Sequence, residues 1–154
     1  MHALKPAAST AEILFLVQLA ATLFMTGVIW FVQVVHYPLF GRVGDTSFCE
    51  YEQAHTVRTG WVVGPPMLLE LVPAVIAVRV RPEWFSAAAA WIGLGLLAVI
   101  WLSTALLQVP LHGRLVERFA ERDAARLTAT NWIRTVCWTL RSLLLMICLM
   151  SRLG

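Results

Sequence analysis

Four apolar stretches of about 20 residues each constrain this chain more than any other feature. They run from about residue 11 to 36, 61 to 80, 85 to 109 and 131 to 153. An α-helix of about 20 residues matches the ~30 Å hydrocarbon core of a bilayer, whereas helices of soluble domains carry polar residues around half their circumference. The sequence therefore predicts an all-α fold, an integral membrane four-helix up-down bundle that forms one transmembrane domain over residues 1–154. The composition agrees: 59% of the residues are hydrophobic and 14% charged, with a mean hydropathy of +0.74, and the charges fall between the apolar stretches.

The first stretch is far longer than a signal-peptide core of roughly 7–15 residues, and His36-Tyr37-Pro38-Leu39-Phe40 follows it in place of a small-residue cleavage site, so it reads as a retained span. It opens near Ser9 or Thr10 with Glu12 in the first turn, and Pro38 is expected to break it. The third stretch is expected to stop at Pro110, and the fourth to open at Thr130-Asn131 with Thr130 as cap. In the second, Pro65, Pro66 and Pro73 each remove a backbone donor, and the carbonyls they free need protein or water partners.

About seven residues join the second and third spans, but 20 or more separate the first from the second and the third from the fourth. The two long connections share a membrane side. Both are expected to be partly helical caps, since 48–59 contains no helix breaker and 114–127 is rich in Arg, Glu and Ala with Leu115, Phe119 and Leu127 on an apolar stripe. The net charge of +3 includes no dense basic run, so anionic lipid headgroups are the expected partner of the Arg114, Arg118, Arg122 and Arg126 row, and nucleic acid is not. Cys49, Cys137 and Cys148 are odd in number, and two of them share one span, so no disulfide framework is expected.

Polar residues inside the spans carry the functional information, because a charge at the centre of a membrane helix carries an insertion penalty of about 2.5–3.5 kcal/mol. Glu70 and Arg141 lie near mid-span at similar depth, which predicts an ion pair that ties two helices together or serves chemistry. Asn131, Arg134, Trp138 and Arg141 recur at three, four and three residues and so share one face. Gln18, Thr22, Gln33 and His36 share a face of the first span, and Thr104, Gln108 and His112 step by four along the third. Lipid offers these stripes no partner, so they are expected to face a bundle interior that is polar toward the capped end.

His36, His55 and His112 all fall on the capped side, while His2 falls at the opposite end. Glu52 precedes His55 by three residues, the Glu-x-x-His spacing that puts two metal ligands on one helix face in di-iron bundles. Interfacial histidines also serve as hydrogen-bonded anchors, so three on one side admit both readings. Tyr37, Tyr51, Trp61 and Trp132 are expected as interfacial aromatics.

The stretches Trp30-Phe31-Val32-Gln33-Val34-Val35-His36-Tyr37-Pro38-Leu39-Phe40, Pro65-Pro66-Met67-Leu68-Leu69-Glu70 and Asn131-Trp132-Ile133-Arg134-Thr135 resemble those of small bacterial four-span membrane proteins of unknown function. More distantly, the chain is similar to anthrone oxygenase-like four-span proteins. The resemblance implies the architecture and a bacterial cytoplasmic (inner) membrane, and supplies no mechanism.

Two functions fit these features. One is a metal or haem site at the capped end performing redox chemistry on a lipophilic small molecule, as a metal-dependent membrane oxidoreductase. In that reading His36, His55, His112 and Glu52 are candidate ligands for iron, copper or zinc. Glu70, Arg134 and Arg141 are candidate catalytic residues, and Arg58 and Asn131 are candidate cofactor-binding residues. A haem would take His36 and His112 as axial ligands, with Arg58 or Arg134 on its propionates. The other function is non-enzymatic: an accessory subunit of a membrane complex or a small-ligand carrier. Hydrolytic motifs are absent.

Overall fold

The computed structural model describes residues 8–153, so His2 lies outside the described residues. Over that range the chain is four antiparallel helical rods. The first is α1 (Thr10–Phe31), continued by a π-turn (Val32–His36) and a 3-10 turn (Tyr37–Arg42). The second is α2 (Asp45–Ala77). The third joins α3 (Ala87–Ser103), a π-turn (Thr104–Gln108) and α4 (Val109–Glu117), and the fourth is α5 (Glu121–Leu153). Four helices are long and apolar enough to cross a membrane, and the protein is an integral membrane helical bundle. The first rod packs on α2 and α5, and α3 packs on the same two, so the first and third rods are diagonal.

Each rod exceeds the span assigned from hydropathy, and for one physical reason. The polar residues beyond each apolar stretch are good helix formers, so nothing ends the hydrogen-bond ladder where the lipid ends. Both cap regions are helical, as expected, but they are direct continuations of the spanning helices. At 33 residues, α2 is roughly 50 Å long at 1.5 Å per residue, well beyond the ~30 Å that the hydrocarbon core needs. The extra turns all gather at one end of the bundle. There the joints are tight: Val43-Gly44, with Gly44 at φ +87°, a left-handed conformation that glycine adopts without steric cost, and residues 118–120, where Arg118 turns extended. That break divides the helix expected over 114–127.

The prolines act differently from expectation. Neither Pro38 nor Pro110 ends its helix. Each sits in the first turn of a new helical segment directly after a π-turn, in which the Tyr37 N–H bonds the Val32 carbonyl and the Val109 N–H bonds the Thr104 carbonyl. The widened turn carries the chain past a residue that cannot donate. Through Pro65, Pro66 and Pro73 α2 is unbroken. Thr130 is not a cap, because α5 begins nine residues earlier and the Thr130 hydroxyl donates within the helix to the Arg126 carbonyl at 2.8 Å. The caps that do exist are Ser9, in a reciprocal capping box with Glu12, and Ser86, which accepts from the Ala89 N–H.

Apolar side chains divide between lipid and core. Trp61, Leu106, Ile147 and Met150 are exposed on the rods. Within, one core centres on Met25, Ile29, Phe40, Phe48, Met67, Leu97, Ile100, Leu115 and Leu127 toward the extended end. A smaller core of Phe15, Leu19, Phe85 and Leu145 closes the opposite end, where Arg152 pairs with Glu12 at 2.7 Å.

Candidate metal centre

The inward stripe of α2 sets the site. Taking 100° per residue, Glu52, Thr59, Val63, Met67 and Glu70 fall within roughly 80° of one another, with His55 at the edge of the stripe. Glu52 and Glu70 are both fully buried yet are 18 residues apart in one helix, about 27 Å along the axis. They therefore belong to two separate polar centres.

The deeper centre joins all four rods. Arg141 donates to the Gly93 carbonyl at 2.6 Å, to Gln18 Oε1 at 2.8 Å and to Thr22 Oγ1 at 3.3 Å. The expected ion pair with Glu70 forms at 3.9 Å, the long end of such contacts. Glu70 instead accepts from the Trp138 indole N–H at 3.0 and 3.2 Å. Pairing within lipid-facing helices is thus satisfied by four rods at once, with Trp138 forming the lid of Glu70. Neither Glu70 nor Arg141 reaches the histidines, so the structure does not bring them to the site for which the sequence nominated them.

At the extended end, Glu52 and His55 on α2 meet His112 on α4. One ligand atom from each lies within 4.8 Å of the others. His112 Nδ1 hydrogen-bonds Glu52 Oε1, and its Nε2 meets the Tyr37 hydroxyl at 2.9 Å. His55 Nδ1 meets His36 Nε2 at 2.9 Å and Thr59 Oγ1 at 3.1 Å. These contacts occupy Nδ1 of His55 and leave its Nε2 for a ligand. The second carboxylate oxygen of Glu52 is buried without a hydrogen-bond partner, although an isolated carboxylate in such a place is costly. An orphaned buried oxygen beside two imidazoles fits a cation.

His36 is outside the ligand group and buttresses His55, the position of an outer-shell partner that fixes ring orientation. Tyr37 is buried, not interfacial. Its hydroxyl links His112 to Arg134, whose Nη2 donates to it at 3.3 Å. Arg134 Nε in turn donates to Asn131 Oδ1 at 2.9 Å, and Asn131 donates to Gln33 at 2.8 Å. Arg134 and Asn131 are thus part of the polar network behind Glu52, His55 and His112. Arg58 is not: it is exposed on the outer side of α2, about 120° from Glu52 and Glu70 at 100° per residue. Trp61 and Trp132 are exposed as expected, at 79% and 45%, and mark the level where lipid gives way to the polar end.

The site opens on a cavity of about 350 Å³, within the range of small-ligand sites. Met25, Val28, Ile29, Val32, Val63, Met67 and Trp138 give it apolar walls, and Tyr37, His55, Thr104, Gln108, His112 and Arg134 give it one polar end. The comparisons add no relative. No family model, curated protein or solved structure matches this chain.

The sequence nominates His55, His112 and Glu52 by membrane side and helix spacing, and Arg134 and Asn131 by the polar stripe of the fourth span. It missed the roles of Tyr37 and Thr59. Thr59 follows His55 by four residues and was legible as its neighbour on the helix. Tyr37 was not, because the π-turn before it shifts the register of everything that follows.

Proposed function

We propose that this protein is a metal-dependent membrane enzyme that holds one ion on Glu52, His55 and His112 and acts on a lipophilic small molecule in the adjoining cavity. The observation that carries this reading is the convergence of two imidazoles and a buried carboxylate, one oxygen of which has no protein partner, at the polar end of an otherwise apolar cavity. A two-histidine, one-carboxylate set suits iron, copper or zinc, and with open positions it is the ligand set of non-haem iron oxygenases. The ion would supply Lewis-acid polarisation or, as iron or copper, electron transfer, and the oxidoreductase assignment rests on that choice of metal.

The chain's own groups have definite parts. Were the ion held by Glu52 and by His112 through Nδ1, the proton of His112 would reside on Nε2 and be donated to the Tyr37 oxygen. His55, ligating through Nε2, donates its Nδ1 proton to His36 or Thr59. Both ligands then have the outer hydrogen bonds that fix tautomer and raise basicity. Arg134 holds the Tyr37 oxygen from the far side, and the apolar walls exclude water from the reacting end. Haem fits less well: His55 is packed against His36 with ring centroids 4.4 Å apart and against His112 at 5.6 Å, which fills the space between the two rings expected as axial ligands. The proposal includes a bacterial cytoplasmic membrane as location and, at the level of architecture, kinship with anthrone oxygenase-like proteins.

A second reading, a carrier for a lipophilic ligand, is favoured by the mostly apolar lining of the same cavity. Metal analysis of protein purified from its own host separates the two. The enzyme reading expects about one iron, copper or zinc per chain, lost in Glu52→Ala and in His55→Ala. A metal-free protein that remains metal-free after exposure to all three ions leaves the carrier.

A further inference from the structure

Arg134 is 91% buried by its 9% exposure, and among the described residues no carboxylate lies within 4.0 Å of it. Its neighbours are neutral: the Tyr37 hydroxyl, the Asn131 side-chain carbonyl and, at a long 3.5 Å from Nη1, the Thr104 hydroxyl. The Glu52 carboxyl group is two hydrogen-bonded side chains away, through His112 and Tyr37. A guanidinium buried in this way ordinarily has an anion against it, and Arg134 lines the cavity.

The cavity opens to the outside of the bundle at a rim between α2 and the third rod. Its exposed members are Gly60 on α2 and Val109 and Gly113 on α4, and a side chain added at either glycine would meet no atom within 4 Å. Beside the rim, Val57 and Trp61 on α2 and Leu106 on the third rod are exposed apolar residues, so the gap is apolar and opens at the level of Trp61, where lipid gives way to the polar end.

We propose that the cavity takes a long-chain carboxylate from the membrane interface, entering between α2 and α4 at the gap by Gly60 and Gly113, with its head on Arg134 and its tail along the apolar wall of Met25, Val28, Val63 and Met67. This names the substrate class for the cavity of the preceding section and does not depend on the ion being bound. Arg134 offers the head its Nη1, whose one neighbour is the Thr104 hydroxyl at 3.5 Å, while Asn131 Oδ1 and the Tyr37 hydroxyl hold its Nε and Nη2 in place.

The test uses the full-length protein in nanodiscs of zwitterionic phosphatidylcholine, in alkaline buffer that keeps the acid ionised. The probe is a palmitic acid carrying a mid-chain diazirine, compared with its methyl ester at equal concentration, and the photolabelled residues are mapped by mass spectrometry. The acid is expected to label Met25, Val63 and Met67 at least tenfold more than the ester does. Arg134→Gln should bring the acid down to the level of the ester. Gly60→Leu, which fills the gap without touching Arg134, should lower cavity labelling by the acid while leaving Leu106 labelled as before. Equal labelling of the cavity by acid and ester, or labelling confined to lipid-facing residues such as Leu106, overturns the proposal. The comparison of the two probes in the parent needs no variant to fold. Repeating it with EDTA separates this inference from the metal reading: selectivity that survives chelation supports it, and selectivity lost with the ion overturns the assignment to Arg134.

Discussion

Replacing Gly93 by alanine sets two effects of opposite sign against each other. In an isolated helix the change stabilises by about 0.8–1.0 kcal/mol, because glycine has the higher conformational entropy to lose. In this bundle the new Cβ would meet Arg141 Nη1 at 2.8 Å, so the guanidinium must retreat by roughly 0.5–1 Å to reach van der Waals separation. An arginine tip on a surface would simply turn away. This one is buried and tied to Gly93, Gln18 and Thr22, and the bond it would lose goes to the carbonyl of the substituted residue itself. Hydrogen bonds between membrane helices contribute about 0.6 kcal/mol on average and up to about 1.7, and a buried group left unsatisfied costs a further ~1–3 kcal/mol. The loss exceeds the gain, and Gly93→Ala is expected to destabilise by about 1–3 kcal/mol, lowering the melting temperature in detergent by roughly 2–10 °C. In an Arg141→Met background the clash is with a flexible thioether, and the same substitution should be neutral or stabilising. A Gly93→Ala protein as stable as the parent in the native background would refute the placement of Arg141 against α3.

Three further outcomes follow from the same contacts. Trp138→Phe keeps the ring but removes the N–H that both Glu70 oxygens accept from, so thermal unfolding should show a loss of about 1–3 kcal/mol, and Glu70→Gln, which keeps an acceptor, should cost less than Trp138→Phe. His36→Ala removes the outer partner of His55 and is expected to weaken metal binding about 10–100-fold without abolishing it, whereas an unchanged affinity in a competition titration would place His36 outside the site. Ser9→Ala breaks the capping box of α1 at a cost of about 1 kcal/mol and should leave metal affinity unchanged.

The four helices and most of the inward polar stripes were legible because both follow from one constraint: lipid offers polar groups no partner. Gln18, Thr22, Gln33, Gln108, Asn131, Arg134 and Arg141 are all buried, as their spacing on the helices predicts. Glu52 and His55 were legible from their spacing within one helix. What was not legible depends on departures from that ideal. The π-turns before Pro38 and Pro110 let both helices continue, which lengthens the rods, turns the expected loops into helix and brings Tyr37 inward. The depth of Glu70 was legible, but its separation from the histidines was not, since the sequence did not reveal that Glu52 belongs to the same uninterrupted helix five turns away. The outward position of Arg58 was hidden for the same reason, because it depends on the phase of α2.

An anomalous-diffraction map of crystals grown from iron-, copper- or zinc-loaded protein examines the ligand group most directly. The account predicts one peak about 2.0–2.2 Å from a Glu52 oxygen and from a ring nitrogen of each of His55 and His112, with His36 one hydrogen bond further out. A peak held by other residues, or no peak in protein that binds metal by equilibrium titration, would contradict it.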